Sequence, residues 1–346
     1  MKNYNNLIDT KTELKNCDAV KTILMLIIVL YHSMVMYAGE GSWAPVQRAE
    51  ESPIIGHIAN WLNSFHIYTF TLVSEYIFYY MKYENGAYQK YIPFVWNKVL
   101  RLLVPYVFIL VIWVLPVNIS FYGTELMVKK FILGVSPNQL WFLLMLFWVF
   151  VIFWPISDFV DRKPIVGGIC VCLLYFLGMF SSSYFCFYRG LKYTIFFYVG
   201  FMMRKGNLSS KLLYKIPSIV YILADLILFI ALQMLMNNYS IIIKISNIGL
   251  EMLTHLFGAI SAFVILQRFI NCCLSNNKTI KFLSKHSMVI YLVHQQIIYF
   301  LISWFNGVVS PMVLVVINFV FSLVASTMFS VLMHRSRATR VLVGSK

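Results

Sequence analysis

Charge is what this sequence has least of. Only 12% of its 346 residues are charged, and Asp and Glu together number 13. A water-soluble domain carries about 25% charge, so a soluble globule of this length would lack the side chains to cover its surface. The six cysteines (Cys17, Cys170, Cys172, Cys186, Cys272 and Cys273) have neither metal-ligand spacing nor a framework of extracellular spacings. That argues against a zinc module or a disulfide-stapled secreted fold and leaves them as small apolar packing residues. Internal repeats, low-complexity tracts and loops long enough to fold separately are also missing. A single domain over 1–346 is expected, with short tails at about 1–17 and 334–346.

Apolar mass takes the place of charge, at 60% hydrophobic and 17% aromatic residues and a mean hydropathy of +0.76. It falls into blocks of about 17–25 residues, the length a helix needs to cross a hydrocarbon core of ~30 Å. The pattern predicts an all-α polytopic membrane protein of about ten transmembrane helices. They are expected near 20–38, 54–81, 100–119, 139–155, 165–182, 192–203, 217–236, 248–268, 286–304 and 309–333. The first block, about Thr22 to Ala38, has no small-residue cleavage site after it, so it reads as a retained helix rather than a removed signal.

A net charge of +15 would suit a nucleic-acid partner, but its distribution argues otherwise. With the N-terminus inside, the inner segments hold every Lys and Arg except Arg48, Lys129, Lys130, Arg189, Lys192 and Lys244. This is the positive-inside bias. It predicts an even number of spans, both termini cytoplasmic, and multi-pass residence in the cell inner or plasma membrane, with no nucleic acid.

Ionisable residues inside membrane helices are costly unless they face a partner or a polar cavity. The sequence has His32, His66, Glu75, Asp225, Glu251, His255 and His294 in such places. His32 follows Lys21 by eleven residues on one predicted helix, ~16 Å along the axis and nearly on the same face. An imidazole there suits proton exchange with a hydroxyl near neutral pH, or a hydrogen bond between helices. Lys98 and Arg101, at i and i+3, are expected to share a face at the inner end of the third helix. Such a pair suits phosphate groups, or anchors the helix end. Glu251 and His255, at i and i+4, read as a carboxylate and imidazole pair or as interhelical glue.

Taken in order, these residues resemble the integral-membrane acyltransferases of acyltransferase family 3, which modify bacterial polysaccharides and other acceptors. Asp18, Ala19, Val20, Lys21 and then His32 are similar to the family's first-helix motif, a basic residue, ten others and a His. Ser64, Phe65, His66, Phe70 and Ser74 resemble its second-helix signature, and Lys98, Arg101, Pro105 and Tyr106 its pair of basic residues. Leu140, Trp141, Phe142 and Leu143 resemble its aromatic signature; Tyr198, Gly200, Phe201 and Arg204 its Gly and basic helix end; and Ser287, Ile290, Tyr291, Leu292 and His294 its penultimate-helix motif. Two departures stand out. Lys21 and Lys98 replace the commoner Arg and lose its planar fork, and Glu75 stands where Gly usually follows Ser74, which puts close backbone packing there in question.

The resemblance implies an O-acyltransferase. Its co-substrate would be a cytoplasmic acyl-CoA, most often acetyl-CoA, with no tightly bound cofactor and no metal. The acceptor would be a hydroxyl of a cell-surface glycan or lipid-linked sugar, and polysaccharide-synthesis proteins would be partners beside the bilayer. His32 would be the catalytic residue, as general base or acyl relay. Lys21, Lys98 and Arg101 would bind the donor, with Asp18 orienting Lys21 or the inner entrance. His66, Glu75 and His294 would support the site or bind the acceptor. The rival reading is a transporter or flippase of lipid-linked sugars, which favours internal repeats and paired broken helices.

Overall fold

Proline sets where several helices begin. Pro53, Pro164 and Pro311 each open one, at the position where the missing N–H costs least because the first turn leaves that donor unpaired. The structure is a computed structural model that describes residues 10–39, 45–124, 128–206, 212–236, 241–274 and 277–345. In chain order the helices are α1 (Thr10–Met34), α2 (Pro53–Tyr79), α3 (Tyr91–Tyr122), α4 (Trp141–Arg162) and α5 (Pro164–Met179). There follow α6 (Phe187–Gly206), α7 (Ser218–Met236), α8 (Ile241–Phe269), α9 (Lys278–Phe305), α10 (Pro311–Met333) and a short α11 (Arg337–Leu342). No strand occurs among the described residues.

Each of the ten expected segments is helical, but only seven helices are both long and apolar enough to cross a membrane. The other three fall short for different reasons. In α2 the side chains of His57, Asn60, Asn63, Ser64 and His66 dilute the apolar run. In α6 both ends are basic, with Arg189 and Lys192 at one and Arg204 and Lys205 at the other. With 16 residues, α5 is only ~24 Å long.

Helix α3 spans 32 residues and begins nine residues before its expected start at 100. Two π-helical turns interrupt it, Val99–Leu103 and Leu110–Val114. Pro105 and Pro116 follow them. A proline ring clashes with the carbonyl four residues earlier; here those carbonyls belong to Arg101 and Ile112, inside the widened turns.

Helix α10 shows the inverted pattern of a protein dissolved in lipid. Asn318, Ser322, Ser326 and Ser330 are wholly buried, while Val313, Val316, Val320, Phe321, Val324 and Met328 are exposed. Small polar residues at four-residue intervals let neighbouring backbones approach, and the apolar side faces outward. Helices α5 and α7 expose similar rows, including Ile165, Ile169 and Leu173, and Ile219, Leu223 and Ile227.

The chain forms two compact units. The first comprises Met1–Ile27, Asn60–Asn85 and Phe196–Ser284. Its core holds Leu24, Leu72, Tyr76, Phe197, Phe201 and Phe263, all buried. A Cβ on Gly200 would lie 2.3 Å from the Leu72 carbonyl oxygen and 3.1 Å from Glu75 Cβ. Glycine in α6 therefore supplies the close approach to α2 that Glu75 put in question. At the helix ends Arg204 holds Glu84 through two bonds of 2.7 and 2.6 Å and donates to the Tyr76 hydroxyl at 3.1 Å. Tyr76 in turn donates to Glu13, and Gln267 donates to the Glu13 carbonyl at 2.9 Å. This network ties the start of α1 to α2, α6 and α8.

The second unit comprises Ile28–Ala59, Gly86–Ile195 and Lys285–Lys346. Its core is built from Ile109, Val114, Leu143, Met145, Phe153 and Val289, all buried. Burial pushes the thiol of Cys186 up to about 12, and its Sγ donates to the Gly134 carbonyl at 3.1 Å. That thiol packs; it is not a thiolate nucleophile.

Candidate active site

The second unit brings two of the flagged histidines together. His32, near the end of α1, and His294, in α9, stack with ring centroids 4.8 Å apart and planes 16° from parallel. His32 Nδ1 and His294 Nε2 are 2.5 Å apart. Both residues are buried, His294 completely.

The hydrogen bonds determine which nitrogen carries which proton. His294 Nδ1 lies 3.0 Å from the Ile290 carbonyl oxygen, which can only accept, so Nδ1 is the protonated nitrogen. In the neutral ring Nε2 then holds a lone pair, and His32 Nδ1–H donates to it. A neutral His32 is left with its lone pair on Nε2. The pair thus presents a base whose other nitrogen is already held by a second imidazole, the arrangement that orients a general base and steadies its protonated form.

Neutral amides and rings immobilise α9 around His294. Gln139 Nε2 donates to the Leu292 carbonyl at 2.7 Å and to Gln296 Oε1 at 2.7 Å, and Gln296 Nε2 donates back to Gln139 Oε1 at 3.1 Å. The Gln139 backbone N–H donates to Gln295 Oε1 at 3.0 Å, and Gln295 Nε2 to the Tyr299 hydroxyl at 2.7 Å. The Tyr291 hydroxyl donates to the Gln139 carbonyl, and Trp113 Nε1 donates to the Val293 carbonyl at 3.1 Å. Beside His32, Asn318 Nδ2 reaches the Ser33 carbonyl at 3.4 Å. Gln139, Gln295, Gln296, Trp113 and Asn318 were not among the sequence candidates. Gln295 and Gln296 alone had a visible signal, as two adjacent glutamines following His294 within an apolar helix.

Lys98 and Arg101 do not share a face. Lys98 is buried while Arg101 is exposed, because the π-helical turn that starts after Lys98 advances less per residue than an α-turn and rotates Arg101 away. The Lys98 ammonium sits among aromatic rings, 3.6 Å from the centroid of Phe150, 5.0 Å from Tyr88 and 5.1 Å from Phe94. Tyr88 and Phe94 also line a cavity of about 420 Å³ with Gln89, Lys90 and Asn97. Asn97 Oδ1 is buried with no hydrogen-bond partner among the described residues. Burial raises the Tyr88 phenol above its usual value and the nearby positive charge of Arg101 opposes that rise. Both basic residues therefore act electrostatically at Tyr88.

The remaining candidates belong to the first unit. Lys21 is half-buried with its ammonium 5.9 Å from the Phe70 ring centroid. Asp18 is exposed, and its backbone carbonyl accepts the Thr22 hydroxyl at 2.8 Å. His66 is buried and its Nδ1–H donates to the Leu62 carbonyl at 2.6 Å. Glu75 is completely buried in α2.

A family model described as an acyltransferase domain, that of acyltransferase family 3, matches residues 14–335. The chain belongs to acyltransferase family 3. It is a multi-pass membrane acyltransferase, and the match takes in both histidines of the buried pair and both basic residues around Tyr88. No curated protein matches the chain. No solved structure does so either.

Proposed function

We propose that this acyltransferase moves an acyl group, acetyl from acetyl-CoA, to a hydroxyl of a cell-surface glycan or lipid-linked sugar. The observation that carries the reading is the His32 and His294 pair with its assigned tautomers. In this reading His32 Nε2 takes the acceptor's hydroxyl proton as the hydroxyl oxygen attacks the thioester carbonyl. The carbon–sulfur bond then breaks, and the departing thiolate takes that proton back from His32. Throughout, His294 accepts from His32 Nδ1–H and stabilises the transient imidazolium.

The donor's phosphates meet Arg101, Lys90 and the field of the caged Lys98 around the cavity beside Tyr88. Asp18 orders the entrance near Lys21. His66 and Glu75 support the acceptor side. Ten spans with both termini cytoplasmic, in the inner or plasma membrane, put the start of α3 and its cavity on the side where acyl-CoA is made.

The test is transfer from radiolabelled acetyl-CoA to endogenous glycan in membranes containing the protein, with longer acyl-CoA donors alongside. Label in glycan from acetyl-CoA is the expected result. Movement of lipid-linked sugar across the membrane with no acceptor labelled by any donor would replace this reading with a transporter.

A further inference from the structure

Two of the six basic residues expected outside, Arg189 and Lys192, stand near the start of α6, and the chemistry at His32 leaves them unused. Arg189 lies in the first turn, the positive end of the helix, where a cation is disfavoured. Neither residue forms an ion pair among the described residues. A cation in that place calls for an anion from elsewhere.

Close packing of two helices holds Arg189 in position. A Cβ on Gly190 would lie 2.4 Å from Trp148 Cβ, so glycine there lets α6 lie against α4. The guanidinium stacks over Trp141, with Cζ 4.3 Å from the ring centroid, and Nε–H donates to the Tyr188 hydroxyl at 2.6 Å. Tyr193 packs edge-on against Trp141 with centroids 5.8 Å apart. Arg189, Trp141, Tyr188 and Tyr193 are all half-buried. The two terminal guanidinium nitrogens have no hydrogen-bond partner among the described residues. Just before α6, Tyr184 and Phe185 are 50% and 47% exposed.

The fork is connected to the histidine pair. Trp141 opens α4 two residues after Gln139, which fixes α9 around His294. Ring contacts run from Trp141 through Phe142 and Tyr291 to His294, with successive centroids 6.1, 6.0 and 6.1 Å apart. The caged Lys98 meets α4 at Phe150 instead, ~14 Å further along the helix axis. Arg189 and the cations assigned to the donor thus lie at different levels of α4.

We propose that Arg189 binds a carboxylate of the acceptor glycan, so that the acceptor is an acidic sugar chain. A guanidinium fixed through Nε and one face presents its remaining planar fork to a carboxylate bidentately. Lys192 adds a second positive charge, and the exposed rings of Tyr184 and Phe185 offer an apolar surface for the sugar ring. The inference rests on a glycan being the acceptor, and it names the class of sugar.

The experiment uses purified full-length protein in nonionic detergent and unacylated surface glycan extracted from cells that lack this chain. The glycan is tested before and after carbodiimide and borohydride reduction of its carboxylates to alcohols. Binding is followed by tryptophan fluorescence for wild type, Arg189→Gln and Arg189→Lys, with thermal unfolding as a check on folding. The proposal expects wild type to bind the native glycan at least about tenfold more tightly than the reduced one. Arg189→Gln should bind both forms alike, and Arg189→Lys, which keeps the charge and loses the fork, should fall between. Equal affinity of wild type for both forms, native-glycan affinity unchanged in Arg189→Gln, or no binding by wild type overturns the site. A response to short-chain phosphatidylglycerol that Arg189→Gln abolishes, with no response to glycan, overturns it in favour of a lipid phosphate. Acetyl transfer on the same samples separates the two readings. Carboxylate-dependent binding without transfer keeps the site and removes the acyl-transfer assignment; transfer with equal KM for both glycan forms removes the site alone.

Discussion

His32 and His294 are 262 positions apart, and each alone is a costly polar residue in an apolar helix. Their pairing converts two unexplained histidines into one oriented base. His32→Ala should lower the transfer rate by ~10²–10⁴, the usual contribution of a positioned proton acceptor. His294→Ala should cost less, and His294→Gln less again, because a glutamine oxygen can still accept from His32 Nδ1–H; initial rates at matched expression decide this. Equal rates for the Ala and Gln variants would mean that His294 does not orient His32. The two basic residues should also separate. Arg101→Ala should raise the KM for acetyl-CoA, more strongly at low salt. Lys98→Met should chiefly lower stability, by ~1–2 kcal/mol for a desolvated cation among aromatic rings, read as the unfolding midpoint. The sequence could mark His32, His294 and the basic pair because charge in a membrane stands out. It did not mark Gln139, Gln295 and Gln296, since a neutral amide carries no charge and contributes only when it meets another across the fold.

Helix geometry decided what sequence spacing could not. An i, i+3 spacing puts two residues on one face of an α-helix, but the turn at Val99–Leu103 is π-helical and rotates them apart. Pro105 and Pro116 were visible hints of the widened turns before them, but proline in a membrane helix also kinks without a π-turn. Glu75 was legible as a departure from the family pattern. Its consequence was not, because the glycine that keeps the backbones close stands on another helix, at Gly200. Gly200→Ala should destabilise by ~1–3 kcal/mol through overpacking, since its Cβ would meet the Leu72 carbonyl oxygen at 2.3 Å. Thermal unfolding in detergent measures it, and an unchanged midpoint would show that α6 can shift away from α2.

At the scale of the whole molecule, composition indicated a membrane protein, because 12% charge cannot clothe a soluble surface, and the length of the apolar blocks indicated helices. Span counting was harder, since α2, α5 and α6 are helical but too polar or too short to meet the criteria for an isolated crossing. Neighbouring helices can shelter their polar groups, which a hydropathy window does not see. The distribution of Lys and Arg predicts that the loop after α8 is cytoplasmic, which is open to a direct check. Cys272 and Cys273 are exposed there, so a membrane-impermeant maleimide should label them in inside-out vesicles and spare them in intact cells. The reverse pattern would invert the topology and move the Tyr88 cavity away from the acyl-CoA pool.

The most direct measurement of the central claim is label transfer from acetyl-CoA to glycan in membranes carrying equal amounts of wild type and His32→Ala. The account predicts labelled glycan with wild type and loss of nearly all of it with His32→Ala. Full activity in His32→Ala would contradict it and remove the buried histidine pair from the chemistry.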